Sequence, residues 1–322
     1  MSYQLLRPDP RLRSKIENAA QAASNMCWTC GSCDFECPVN RATGSLRPQK
    51  VVRLATMGLL DELAALPEVW YCQTCRRCIE VCPNRVKPAT LIEYARQQAL
   101  GRGRVSMEKY RQFKALFSLF QRVRWHATAY AMQNDLPDLS HSQWCDWLEE
   151  PIPEMAFTVT KQHYLPHAVT PGNRQDDFHP QACFTCGECS SACPVSGERH
   201  VFDPRTIFRM VNLGLAERLL NAPSIWLCIA CQRCSDACSQ LVEGHQVIKQ
   251  LQSQAIESGA VDRDFPHRLE KTNRLIYTRL LDEIDMLFNF NSRNRTRIQH
   301  HAEIIDALNS QELCAARPVR PA

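Results

Sequence analysis

Sixteen of the eighteen cysteines in this chain fall into four copies of one spacing, C-x-x-C-x-x-C-x-x-x-C. The copies are Cys27, Cys30, Cys33, Cys37; Cys72, Cys75, Cys78, Cys82; Cys183, Cys186, Cys189, Cys193; and Cys228, Cys231, Cys234, Cys238. Three of them are followed by proline, at Pro38, Pro83 and Pro194. This spacing is the ligand run of a cubane [4Fe–4S] cluster. Three thiolates on one short loop reach three irons of one cube, and the fourth cysteine typically caps the neighbouring cluster. Crossed ligation follows as an expectation. Cys27, Cys30, Cys33 and Cys82 would hold one cluster, and Cys72, Cys75, Cys78 and Cys37 a second. Cys183, Cys186, Cys189 and Cys238 would hold a third, and Cys228, Cys231, Cys234 and Cys193 a fourth. Four such clusters imply electron transfer.

Other uses of clustered cysteines fit less well. Zinc sites use paired C-x-x-C knuckles separated by a longer gap, and a third and fourth cysteine this close add nothing to a tetrahedral ion. A disulfide framework belongs to small secreted chains, but the opening MSYQLLRPDPRLRSK has no apolar signal segment. The pair Arg76-Arg77 sits inside a motif rather than in a twin-arginine leader. A cytoplasmic location is expected, where thiols stay reduced and available to iron.

The motifs are duplicated. Cys183 lies 156 residues after Cys27, and Cys228 lies 156 after Cys72. The same offset maps Pro48 onto Pro204, Arg53 onto Arg209, Gly58 onto Gly214, Pro67 onto Pro223, Trp70 onto Trp226 and Arg77 onto Arg233, without a gap. The chain therefore reads as two copies of a two-cluster module. The expected domains are residues 1–105, the first module; 106–133, an amphipathic helical extension; and 134–175, a Pro-rich linker. Residues 176–261 form the second module, and 262–322 a further helical extension and mobile tail.

Within each module, 34 residues separate the two motifs. In the first copy Val51, Leu54, Ala55, Leu59, Leu60 and Leu63 recur at helical spacing, with Gly58 as a soft interruption. Another helix follows each second motif, over PATLIEYARQQAL and HQVIKQLQSQAIESG. The expected fold class is all-α, mainly helical with loops, arranged as two tandem α-helical ferredoxin domains. The apolar core of such a module is thin, so cluster binding and folding should be coupled. Trp70 and Trp226, each two residues before a ligand, read as packing over a cluster or as ordinary core.

These residues carry a family likeness. The paired motifs, the helical spacer and the run Asp203, Pro204, Arg205, Arg209, Leu213, Gly214 resemble the iron–sulfur C subunit of heterodisulfide reductase, over roughly residues 20–105 and 176–261. In the first copy the run is LRPQK, a partial match. Iron–sulfur subunits of glycolate oxidase and succinate dehydrogenase share the general plan. A relay for such a dehydrogenase is therefore the alternative reading, and a non-redox zinc scaffold a remoter one. A single C subunit usually has one such module, whereas two are fused here. The resemblance implies an electron-transfer subunit of a disulfide-reductase-like oxidoreductase. Its implied partners are a catalytic subunit like the disulfide-splitting B subunit of that family and a flavin- or haem-containing electron donor or acceptor. The adjacent cysteine pair of the B subunit is absent, as is any G-x-G-x-x-G, and with every cluster fully ligated no catalytic centre is visible in this chain alone.

The remaining features concern surfaces. The formal charge of +4 counts cysteines as neutral. Each cluster with its four thiolates carries about −2, so the loaded chain carries about −4 and no nucleic-acid partner is implied. Arg76, Arg77 and Arg85 beside the second motif suggest a higher potential there than beside its counterpart, which has Arg233. No run of 18 apolar residues exists, so no segment is expected to span a bilayer. Phe113, Leu116, Phe117, Phe120 and Val123 form one helical face within residues 109–132. It is open to packing on its own module, docking a partner subunit or peripheral membrane contact. Cys145, Cys314 and the linker histidines His141, His163 and His167 show no ligand spacing.

Overall fold

The computed structural model describes residues 6–133, 136–137, 139–153, 179–196 and 201–290. Among them there are α-helices and short 3-10 turns but no strand, which establishes the all-α class. Two compact units emerge, unit 1 from residues 1–115 and 277–322 and unit 2 from 116–276. The division falls inside two long helices. The linker histidines His163 and His167, together with Cys314 and the tail, lie outside the described residues.

In unit 1, α1 (Pro10–Ala20) starts where the Asp9 carboxylate accepts from the amides of Arg11 and Leu12, with proline at the first helical position. The spacer forms α4 (Pro48–Thr56) and α5 (Leu60–Ala65), not one softened helix. Gly58 is the cause. Its φ is +69°, and a Cβ there would lie 2.0 Å from the Asp9 carbonyl oxygen. The helix has to stop where α1 comes this close. After the second motif runs α7 (Pro88–Gly101), which buries Leu91, Ile92 and Ala95. Burial of each large aliphatic side chain stabilises the unit by about 1.5–3 kcal/mol.

Unit 2 repeats the plan with α11 (Pro204–Asn212), α12 (Ala216–Leu220) and α14 (Gly244–Glu257). Gly214, the counterpart of Gly58, also has a positive φ, +71°. The core holds Phe202, Phe208, Ile225, Val247, Leu251 and Phe265.

The long helices are α8 (Met107–Gln133) and α15 (Phe265–Phe288). Of the apolar face singled out above, Phe113, Leu116, Phe120 and Val123 are buried and Phe117 is half-buried, so the face packs within the protein. The Pro-rich segment holds a helix that composition does not suggest, α9 (His141–Glu149). Ser140 caps it, and Trp144, Trp147 and Leu148 are buried. No described helix is long and apolar enough to cross a membrane.

Candidate metal centres

Each motif opens with the same backbone turn. The residue before the second cysteine has a positive φ in all four copies: Thr29 at 55°, Thr74 at 56°, Thr185 at 56° and Ala230 at 52°. The residue after the second cysteine does too: Gly31, Arg76, Gly187 and Gln232. Left-handed backbone at a non-glycine residue costs about 1–3 kcal/mol and persists only where surrounding structure demands it. Here it turns amides towards sulfur. The amides of Thr29, Thr74 and Thr185 lie 3.4, 3.3 and 3.4 Å from the Sγ atoms of Cys27, Cys72 and Cys183. An N–H aimed at sulfur favours the thiolate, the form that binds metal.

The short helix after the turn carries the third cysteine inward. Cys33 lies on α2 (Ser32–Phe35) and Cys78 on α6 (Arg77–Glu80). The fourth points elsewhere. Cys37 is the extended N-cap of α3 (Pro38–Thr43), whose first residue is the proline after the motif. Two polar contacts join the motifs of unit 1. Arg77 pairs with Glu36 at 3.2 Å, and the Asn84 side-chain amide donates to the Met26 carbonyl at 2.8 Å.

The sixteen thiols consequently line four cavities. Cys27, Cys30, Cys33 and Cys82 line one. Cys37, Cys72, Cys75 and Cys78 line another. In unit 2, Cys183, Cys186, Cys189 and Cys238 surround a third, and Cys193, Cys228, Cys231 and Cys234 a fourth. In every ring three thiols come from one motif and the fourth from the other motif of the same unit. The apolar walls include Val52, Val86 and Pro88 for the first ring and Leu46, Pro48 and Ile92 for the second.

The electrostatics within the rings follow from crowding. Burial pushes the Cys33 thiol up to about 12, with Asp34, Cys27 and Cys82 adding to it. Burial likewise raises Cys193 to about 12 and Cys189 and Cys228 to about 11. Cys37, Cys78 and Cys234 are raised by burial and then by neighbouring cysteines. Burial raises Cys72 too, against the pull of the Arg96 guanidinium. Thiols held this way give up their protons to a metal centre rather than to water. The donor set suits a group larger than one ion. Zinc draws its thiolates to about 2.3 Å of a single point. Among the described residues, no group of three or more His, Cys, Asp or Glu converges tightly enough to hold one metal ion.

The two rings of a unit differ in exposure. Cys37, Cys72, Cys75 and Cys78 are all buried, whereas Cys30 and Cys186 are exposed. Beside the outer rings stand Trp28 and Phe184, 73% and 72% exposed and 156 residues apart, a repeated aromatic that the motif spacing alone does not single out. Trp70 belongs to the core, where its ring centroid lies 4.6 Å from Phe288 and 5.5 Å from Phe113. Trp226 similarly meets Phe265 at 4.8 Å. His141 and Cys145 face each other on α9, with Nε2 3.6 Å from Sγ.

Residues 23–86 and 180–242 each match the family description of the 4Fe-4S dicluster domain. Two such domains imply four [4Fe–4S] clusters. The chain is also similar to heterodisulfide reductase C subunits. It is 36% identical over 95 residues to the C subunit of the H(2):CoB-CoM heterodisulfide,ferredoxin reductase of Methanothermobacter thermautotrophicus, covering 30% of this chain and 51% of that one. To the iron-sulfur C subunit of the CoB--CoM heterodisulfide reductase of Methanopyrus kandleri it is 37% identical over 91 residues, 28% of this chain and 46% of that one. A protein of Archaeoglobus profundus described as like the heterodisulfide reductase C subunit is 40% identical over 62 residues, 19% of this chain and 33% of its own. The chain thus spans about half the length, or less, of these three relatives. No solved structure matches.

Proposed function

We propose that this chain is the iron–sulfur electron-transfer subunit of a heterodisulfide-reductase-like complex, with one cluster held in each thiol ring. The ligand sets are Cys27, Cys30, Cys33, Cys82; Cys37, Cys72, Cys75, Cys78; Cys183, Cys186, Cys189, Cys238; and Cys193, Cys228, Cys231, Cys234. When bound, these groups supply one-electron transfer without making or breaking substrate bonds. The protein's own residues do the rest. The amides of Thr29, Thr74 and Thr185 steady thiolate sulfur. Apolar walls keep water from the inner rings, and the fourth cysteine of each motif ties the paired rings together.

One observation carries the reading: each ring joins three thiols of one motif to the fourth of the other. The partner is a separate catalytic subunit resembling the disulfide-splitting one of that family, with a flavin- or haem-containing protein at the other end, in the cytoplasm. The two modules, 1–105 and 176–261, are the units of cluster binding. Anaerobic purification from the native host tests this. The expected result is about sixteen irons per chain and a co-purifying disulfide-reductase-like subunit. Zinc in place of iron overturns the reading, and co-purification with a hydroxy-acid dehydrogenase moves the relay to that enzyme.

A further inference from the structure

Each unit brings one arginine onto the backbone that opens its second motif, and the two arginines come from different places in the repeat. In unit 1, Arg96 of α7 donates from Nε to the Val69 carbonyl at 2.8 Å and from a terminal nitrogen to the Cys72 carbonyl at 2.6 Å. Its guanidinium lies 5.7 Å from the centroid of Trp70 and 5.4 Å from that of Phe113. The hydrogen-bond partners are carbonyls, and Glu93 acts on the guanidinium only through space, without a hydrogen bond to it. Arginine stays charged in such a place.

Position 252 is the counterpart of 96, and it holds glutamine. The amide of Gln252 donates to the Ile225 carbonyl at 2.8 Å, and Ile225 is the counterpart of Val69. The hydrogen bond to the first of the two carbonyls survives there and the charge is gone. Unit 2 regains a charge from α8. Arg124, 2% exposed, donates to the Leu227 carbonyl at 2.9 Å, one residue before Cys228. Gln121 accepts from it at 3.0 Å. The counterpart of Arg124 is Leu280, fully buried in unit 1. Arginine and leucine at 96 and 280 in unit 1 thus answer glutamine and arginine at 252 and 124 in unit 2.

We propose that Arg96 and Arg124 are positioning charges that favour the reduced state of the cluster in the second-motif ring of each unit, so that each pair holds its electron at that ring. The inference rests on the electron-transfer reading. A cluster gains negative charge on reduction, and a nearby fixed cation lowers the cost. Two further arginines line rings beside carboxylates. Arg76 lines the ring of Cys72 but is exposed and lies 3.8 Å from Glu93. Arg205 lines the ring of Cys183 but lies 3.9 Å from Asp203. Among the described residues, no lysine or arginine lines the ring of Cys27.

The test is an EPR-monitored redox titration of the full chain, purified anaerobically with its clusters. In Arg96→Gln, the ratio of reduced to oxidised cluster should fall about tenfold for one centre at fixed ambient potential, leaving the other three in place. Arg96→Lys should keep most of that ratio. Adding Leu280→Arg to Arg96→Gln, which copies the arrangement of unit 2, should restore it. Arg124→Leu should make the matching change in unit 2, whether or not Arg96→Gln folds. The inference is overturned if the glutamine and leucine variants bind iron normally and all four centres reduce as in the parent. It is equally overturned if lysine at 96 behaves like glutamine, since hydrogen bonding would then be the whole role. A parent chain lacking iron would instead sink the electron-transfer reading beneath it.

Discussion

In unit 1 the carboxylate at the start of the spacer helix is Asp34, on the first motif; its oxygens accept from the Gln49 amide at 2.7 Å and Arg47 Nε at 3.3 Å. In unit 2, position 190 is serine and the carboxylate has moved to Asp203, the counterpart of Arg47. Ser190 now accepts from the Arg205 amide at 3.3 Å and itself donates to Asp203, which also caps the Thr206 amide at 3.3 Å. Motif and helix are tied by one carboxylate in both units, supplied from opposite sides of the contact. The guanidinium of Arg96 and Arg124 follows the same rule. What the two units share is a charge at a place, and the residue in register is free to change once another reaches that place. The partial match of LRPQK to the DPR run has its physical explanation here.

Cysteine replacements would break the comparison most severely. Cys37→Ala should remove the cluster of the second-motif ring in unit 1, about four irons, and Cys193→Ala the equivalent in unit 2. Iron assay with EPR of the remaining centres checks both, and loss of the first-motif signal instead would refute crossed ligation. Stripping all iron with a chelator should lower the thermal midpoint of both units, as seen by circular dichroism, because metal binding and folding are coupled.

The glycine pair should separate the units next. Gly58→Ala meets both a left-handed φ and the Asp9 carbonyl, and should cost about 2–4 kcal/mol. Gly214→Ala meets the same left-handed φ, which by itself costs about 1 kcal/mol. Denaturant midpoints check both, and a loss of about 1 kcal/mol or less for Gly58→Ala would remove the Asp9 contact as a cause. Asp34→Ala and Asp203→Ala should each cost about 1 kcal/mol of helix-cap energy in their own unit; a silent Asp203→Ala would mean that Ser190 ties the contact alone.

The smallest effect is a pH trend in the apo chain. Burial raises folded thiols such as Cys33 and Cys193 to about 12, from an ordinary value of 9.0. A raised thiol stabilises the fold fully below its unfolded value, and that contribution is lost as pH climbs towards the folded value. Apo protein should therefore lose stability between about pH 9 and 12, as followed by circular dichroism, while loaded protein should not, its thiols being already deprotonated. An apo chain indifferent to pH over that range would mean that the rings are open to water.

Much of the molecule is legible in the order of its residues. The helical spacing of Val51, Leu54, Ala55 and Leu63 and the 156-residue offset announce two helical modules, because apolar period and repeat are properties of order along the chain. The break at Gly58 is sharper in the fold than the sequence suggests, since its necessity comes from α1, which is distant along the chain. The charges of Arg76 and Arg77 look like tuning groups in the sequence, yet Glu93 and Glu36 stand against them. Arg96 and Arg124 have no sequence signal, because a lone arginine in a helix looks like solvated surface until its carbonyl partners are known. Helix α9 is hidden by the prolines on either side of it.

Sequence alone determined the number of thiols, their grouping into four runs and the doubling of the unit, because local spacing decides which sulfurs share a loop. Tertiary structure decided which rings are sheltered from water and which arginine reaches the inner ring. Each of those depends on residues brought together from afar, and order along the chain carries no record of such meetings.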